Sequence, residues 1–208
     1  MSPDGKFISF NLWNTKTGMN LYVIPVEGGA PRKLVADAAV SDWSPDGKYL
    51  AYEAVVRVEE GKPEKREVRL MDMTSNETHS VPEGVGKAGV IWAAPDKLVA
   101  FSDGIDKLVL FDLKTQKWSD LASGFFSNIV RATEGDYIYA EQIQKDASTI
   151  IKIRLSDGHI EKLLDLRGGR RLVEEYENTW FEMSPGGSVI LTQDVGTKEI
   201  YSLKIRWP

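Results

Sequence analysis

The sequence predicts an all-β chain, a β-propeller array of about five four-stranded blade units with the first and last incomplete. Three observations carry this. One tight turn recurs along the chain, a hairpin of constant length follows it in four copies, and helix signals are nearly absent. Strand-built repeats of roughly 40–50 residues mark radial arrays.

The turn is clearest at Trp43-Ser44-Pro45-Asp46-Gly47-Lys48. Pro45 pre-sets φ for the second turn position, and Ser44 and Asp46 can bond nearby main-chain groups. Gly47 supplies the positive φ that returns the chain beside itself. Tyr49-Leu50-Ala51-Tyr52 then reads as a strand. Ser2-Pro3-Asp4-Gly5, Ala94-Pro95-Asp96, Thr133-Glu134-Gly135 and Ser184-Pro185-Gly186-Gly187 are the other copies. Positions 3, 45, 95, 133 and 185 are equivalent, giving spacings of 42, 50, 38 and 52.

The second hairpin keeps its length. Val26 to Leu34, Met73 to Val81, Leu113 to Leu121 and Leu155 to Leu163 are each eight residues. A slip of one residue would turn every apolar side chain to the wrong face, so a constant interval predicts a constant register. Each unit then reads as strands A to D from the inside out. Strand A precedes the turn, as in Ala39–Trp43. Strand B aligns Ile8, Leu50, Val99, Ile138 and Ile190. Strand C aligns Leu21, Val68, Leu108, Ile150 and Ile200, and strand D aligns Leu34, Val81, Leu121 and Leu163. In unit one, Asn14–Asn20 reads as a polar loop. The units fall at about 1–35, 39–81, 88–121, 127–164 and 178–208 of a single domain spanning 1–208. The best helix candidate is Arg171–Tyr176. Unit one lacks strand A and unit five lacks strand D, which predicts an open array belonging to something longer, with unpaired edges able to recruit other chains.

Composition narrows the function classes. The 208 residues carry a net charge of −5. Nucleic-acid binding needs clustered Lys and Arg, so none is expected. There is no cysteine, which removes disulfide and thiolate chemistry. No apolar run approaches the roughly 20 residues of a membrane span, and Met1 leads straight into a turn rather than a signal peptide. His79 and His159 fall at outer blade positions and are expected to be solvated. No zinc or calcium pattern, no nucleophile elbow and no cofactor motif is present, so no catalytic residue, metal or cofactor is expected. Trp43, Trp92 and Trp180 lie near the ends of A strands, out of identical register, and are expected to pack between blades.

Binding is expected on one face. In an up-and-down blade the A–B and C–D turns share one end, and the B–C loops and D-to-A crossings share the other. The longest segments are Leu50 to Val68 and Leu163 to Ser184, both on the second face. Recognition concentrates in loops on rigid scaffolds. Arg57 and Lys65 from the first insertion, with Arg167, Arg170, Arg171 and Tyr176 from the second, are the candidate contacts for a protein or small ligand.

The string Ser-Pro-Asp-Gly-Lys, an apolar strand, Leu21-Tyr22-Val23-Ile24, Gly28-Gly29 and Arg32-Lys33-Leu34 resembles the TolB-like propeller repeat, a Pro-Asp relative of the WD repeat. Trp180–Pro185 with Asp194–Leu203 also resembles the carboxy terminus of bacterial multidomain regulators, in which a winged-helix or Ser/Thr kinase domain precedes a propeller. Neither upstream domain is in this sequence. The resemblance implies a non-catalytic interaction or ligand-sensing module, cytoplasmic if it belongs to such a regulator. The alternatives are a periplasmic TolB-like envelope component, or the propeller domain of a prolyl-oligopeptidase-like enzyme without its hydrolase domain.

Overall fold

A computed structural model describes residues 1–16, 18–56, 64–133, 135–144, 147–167, 180–184 and 186–192. Among these there is no helix, and none long and apolar enough to cross a membrane. The first sheet holds β1 (Phe7–Asn14), β2 (Gly18–Pro25) and β3 (Arg32–Ala36). Three four-stranded sheets follow. They are β4 (Ala38–Trp43), β5 (Tyr49–Val56), β6 (Lys65–Asp72) and β7 (Thr78–Val85), then β8 (Ala88–Ala94), β9 (Lys97–Phe101), β10 (Lys107–Asp112) and β11 (Lys117–Ser123), then β12 (Phe125–Arg131), β13 (Tyr137–Gln144), β14 (Ala147–Arg154) and β15 (Ile160–Asp165). The last described pair is β16 (Phe181–Met183) and β17 (Val189–Leu191). Each sheet is an antiparallel meander in chain order, as a propeller blade requires. Ile200, the expected third strand of unit five around it, and the candidate helix Arg171–Tyr176 lie outside the described residues.

The recurring turn is held by its serine. Ser44 Oγ donates to Asp46 Oδ1 at 2.7 Å and accepts from Tyr49 N at 2.9 Å, while Asp46 Oδ1 also accepts from Lys48 N at 3.1 Å. Ser2, Asp4, Lys6 and Phe7 repeat this set at 2.7, 3.1 and 2.9 Å. These bonds hold the Asp4 and Asp46 carboxyls below the ordinary range, the serine hydroxyl contributing most. Gly47 sits at φ 71, the left-handed region that the turn demands at this point.

The constant hairpin has a specific cause. Leu21, Leu108 and Ile150 each sit where the C–D register shifts, and Val68 lies inside the same shift in the second sheet. Because Leu21 pairs with Val35 and Tyr22 with Lys33, Leu34 is the extra residue. Leu121 and Leu163 are the extra residues in their blades, and Val81 begins a longer bulge. A β-bulge bends and twists its strand, so each of these hairpins departs from a flat ladder at the same strand C position.

Alternation sends side chains to both neighbouring blades. Leu21 and Val23 of the first sheet meet Trp43, Leu50, Tyr52 and Met71 of the second. Ala51, Val68 and Val81 face Trp92, Leu98, Val109 and Phe111 of the third. Leu108, Leu110 and Leu121 face Phe126, Ile138, Ile151 and Ile153 of the fourth. Val130 and Ile150 face Phe181. Among the described residues the core is therefore four seams between blades.

Three expectations are corrected. Asn14–Asn20 is not a loop: Trp13 pairs with Met19 and Asn14 with Gly18, so both strands run almost to the turn. Leu98, not Val99, is the partner of Leu50's ladder position, since Leu98 faces Phe111 as Leu50 faces Met71. The third turn lacks glycine and closes tightly, Ala94 opposite Lys97, which advances the strand by one residue. By the same logic Val189 opposes Met183 and packs inward, while Ile190 is exposed.

Candidate functional site

The inner strands β4, β8, β12 and β16 adjoin one another in turn, and their turn-proximal halves line an axial recess of about 350 Å³. Asp42, Ile91, Asn128, Arg131, Thr133 and Trp180 shape it, with Glu182 at its side. The strand ladders explain who points where. Trp43 pairs with Leu50, Trp92 with Leu98 and Arg131 with Ile138. Thus Trp43 and Trp92 do share one register, contrary to expectation, and Arg131 stands at their position in the fourth blade.

The two indoles are buried in the seams, as the packing reading requires. Trp43 Nε1 donates to Ser9 Oγ at 3.1 Å. Trp92 Nε1 is buried without an acceptor. Trp180 is different: it is 41% exposed and faces the recess. Its expected burial between blades is corrected accordingly, because β16 starts only at Phe181 and that side chain fills the seam.

Arg131 spans the array. Its Nη1 donates to the Trp43 carbonyl at 3.2 Å and lies 4.0 Å from Asp42 Oδ2, so the fourth blade reaches the second past the third. Asp42 Oδ2 accepts from Trp92 N at 2.8 Å. Burial among the inner strands pushes the Asp42 carboxyl up, while the Arg131 charge and the Trp92 amide oppose that push. Asn128 Nδ2 donates to the Phe181 carbonyl at 3.1 Å, tying the fourth blade to the fifth. The recess therefore offers a guanidinium, two carboxylates and an amide on strands, with a hydroxyl and an indole just beyond strand ends. Such a set can orient a polar ligand through donors and acceptors together.

A second cleft of about 310 Å³ lies between the first two blades, at the turn end. Phe7, Val23, Trp43 and Met73 form its floor, and Asp4, Asp46 and Arg32 its rim. Among the described residues no group of three His, Asp or Glu side chains could hold a metal ion.

The residues singled out for the loop face are not brought together. Lys65 pairs with Asp103 of the next blade at 3.3 Å. Arg167 folds onto Asp165, with Nε 2.8 Å from Oδ2. Neither lines the axial recess. Arg57, Arg170, Arg171 and Tyr176 lie outside the described residues. His79 is on the outermost strand β7, and His159 flanks the outer turn, where its amide donates to Asp157 Oδ1 at 3.0 Å. Sequence reasoning passed over Arg131. The available signal was a cation at the residue before the most degenerate turn, where earlier units carry tryptophan.

No protein-family model matches the chain, and no curated relative matches it in sequence. Solved structures do match in fold. TolB from Acinetobacter baumannii superposes with a TM-score of 0.69 at 16% identity, covering 89% of this chain and 46% of that one. The putative TolB from Agrobacterium tumefaciens gives 0.66 at 19% identity, covering 81% and 65%. The β-propeller domain of the Trilobed protease from Pyrococcus furiosus, described as having an open velcro topology, gives 0.51 at 16% identity, covering 80% and 55%. The chain thus spans about half to two thirds of these proteins' lengths. The fold is that of a TolB-like β-propeller.

Proposed function

We propose that this chain is a non-catalytic recognition module that binds a polar segment of a partner protein, or a small polar ligand, in the axial recess. The observation that carries this is Arg131, a cation placed at a tryptophan position and held across the axis to the Trp43 carbonyl. Its remaining N–H groups and the indole of Trp180 border the same recess. Arg and aromatic side chains dominate binding hot spots. The loop-face residues Arg57, Lys65, Arg167, Arg170, Arg171 and Tyr176 are a separate candidate contact set, independent of the recess. A place as the carboxy-terminal part of a larger bacterial regulator fits this role.

The test is selection of random heptapeptides displayed on phage against the full chain, followed by titration of the synthetic winners. Arg131→Ala is expected to weaken them at least tenfold, with Lys65→Ala neutral. Loss with Lys65→Ala but not Arg131→Ala would move the principal site to the loop face. A second reading, the propeller part of a peptidase, is favoured by the likeness to the Trilobed protease domain. Stable association of the purified chain with a separately produced serine-hydrolase domain would favour that reading over the first.

A further inference from the structure

The cleft between the first two blades has an apolar floor, two closed ends and one unpaired charge. Its volume of about 310 Å³ is at the lower end of small-molecule pockets, which run from roughly 300 to 1,000 Å³. At the inner end the two A–B turns abut, since a Cβ on Gly47 would lie 3.5 Å from Cδ of Pro3. At the outer end Arg32 crosses the seam, its Nη1 donating to Asn76 Oδ1 of the second blade at 3.1 Å. Both walls and both ends thus belong to described strands and turns of two adjoining blades.

Side-chain size opens this space. Register equates Val23, Met71 and Thr78 at the first seam with Leu70, Phe111 and Trp118 at the second. Those larger groups pack the second seam, with the rings of Phe111 and Trp118 5.0 Å apart. The first seam lacks them and keeps a bowl floored by Phe7, Val23, Trp43 and Met73. Phe7 is 39% exposed, so an apolar body laid over it is driven in by the water it releases.

Charge sets the orientation of what enters. Asp4 and Asp46, on the inner rim, each pair with the lysine of their own turn, Lys6 at 3.4 Å and Lys48 at 3.6 Å. Their Oδ1 atoms are taken up by Ser2, Ser44 and main-chain amides. Arg32 has no such counter-ion. Among the described residues no carboxylate pairs with it, and Asn76 engages one of its donors. A guanidinium presents five N–H donors in a planar fork that matches a carboxylate. The floor therefore takes a flat apolar body, the inner aspartates turn an anionic group away, and Arg32 draws it to the outer end.

We propose that this cleft is a binding site for a small aromatic carboxylate, its ring over Phe7 and Met73 and its carboxylate on Arg32. The site is separate from the axial recess, which neither Arg32 nor Met73 lines.

The probes are three indoles of nearly one shape: indoleacetate, its neutral amide indoleacetamide, and the cation tryptamine. The readout is the methyl resonance of Met73 in the full chain labelled at methionine, assigned through Met73→Leu. Indoleacetate is expected to shift that resonance saturably, with an affinity at least tenfold higher than that of either analogue. Arg32→Gln, at an exposed position, is expected to bring indoleacetate down to the affinity of indoleacetamide. The proposal is overturned by a Met73 resonance that stays put up to about 10 mM indoleacetate. It is equally overturned if indoleacetamide binds as tightly as indoleacetate, or if Arg32→Gln keeps the full preference for the carboxylate. Tryptamine binding as tightly as indoleacetate, or more so, would give the cleft to a cation held by Asp4 and Asp46, and overturns it too.

Discussion

Arg131 donates a hydrogen bond from Nη1 to the carbonyl oxygen of Trp43, 3.2 Å away and two blades distant. The same ladder position holds Trp92 in the intervening blade. The chain has therefore traded a packing residue for a charge at its axis. Its ion pair with Asp42 is long, at 4.0 Å, and part-exposed, so it contributes little to stability. Arg131→Met is expected to change unfolding free energy by less than about 1 kcal/mol in a urea titration while removing recess binding. A large stability loss would instead make Arg131 a structural strut.

Asp42 carries the opposite electrostatic signature from the turn aspartates. Burial raises its folded carboxyl pKa above the unfolded value of 3.8. The folded state then binds the proton more tightly than the unfolded one, so stability falls as pH rises from 3.8 through the folded value. Asp42→Asn keeps an acceptor for Trp92 N and removes the charge. Its stability relative to the parent is expected to increase from pH 3.5 to pH 7. A flat difference across that range would show that Arg131 fully compensates the burial.

The turn aspartates give the mirror-image prediction. Asp4 and Asp46 have lowered folded pKa values, caused first by the hydroxyls of Ser2 and Ser44. Their contribution is complete above the unfolded 3.8 and is lost as pH falls through the folded values. Ser44→Ala removes the acceptor for Tyr49 N and the donor to Asp46, and is expected to cost about 1–2 kcal/mol at pH 7. The cost should shrink in acid denaturation below pH 3. Equal costs at both pH values would mean that the serine acts through Tyr49 alone.

Much of this was legible because repetition multiplies weak signals. Ser-Pro-Asp-Gly declares a turn from local chemistry, and the hairpin from Leu21 to Leu34 recurs at Leu108 and Ile150 with the same one-residue bulge and at Val68 with a longer one. The one-residue advance at Leu98 was not legible, since an alignment by residue type places Val99 opposite Leu50 and only the ladder corrects it. The recess was not legible either. Asp42, Asn128, Arg131 and Trp180 meet through the packing of blades far apart in sequence, and only Trp180 belongs to a motif that could be read locally. The loop-face residues stand out by insertion length and residue type, and such features cannot show that Lys65 and Arg167 already hold Asp103 and Asp165.

Gly158 tests how tightly adjacent outer hairpins press together. It sits at φ 69 and its amide donates to the Arg154 carbonyl at 2.9 Å. Asn76 and Gln116 hold the same turn position at φ 61 and 58, so the conformation itself tolerates a side chain. What distinguishes Gly158 is the Leu121 carbonyl of the third blade, which a Cβ would strike. Gly158→Ala is expected to cost about 2–4 kcal/mol through strain and a displaced backbone, measured by thermal unfolding. Gln116→Ala should cost under about 1 kcal/mol. Similar values for both would show that the hairpin of the fourth blade yields freely.

The last prediction concerns the two buried indoles. Trp43 Nε1 reaches Ser9 Oγ, a residue on β1 of the preceding blade. Trp92 occupies the same ladder position one blade later, and the counterpart of Ser9 there is Ala51, which has no acceptor. Trp92 Nε1 is accordingly left without a partner in a fully buried seam. A buried donor without an acceptor costs about 1–3 kcal/mol. Ala51→Ser places a hydroxyl where Ser9 stands one blade earlier, and it is expected to stabilise the chain by about 1 kcal/mol. Ser9→Ala orphans Trp43 and is expected to destabilise by a similar amount. The double variant Ser9→Ala/Ala51→Ser should return near the parent, since the sites lie in different seams and distant effects add. Denaturant unfolding of the four proteins measures all three differences. If Ala51→Ser destabilises as much as Ser9→Ala, the second seam is too tightly packed for a hydroxyl, and the missing acceptor is the cost of that packing.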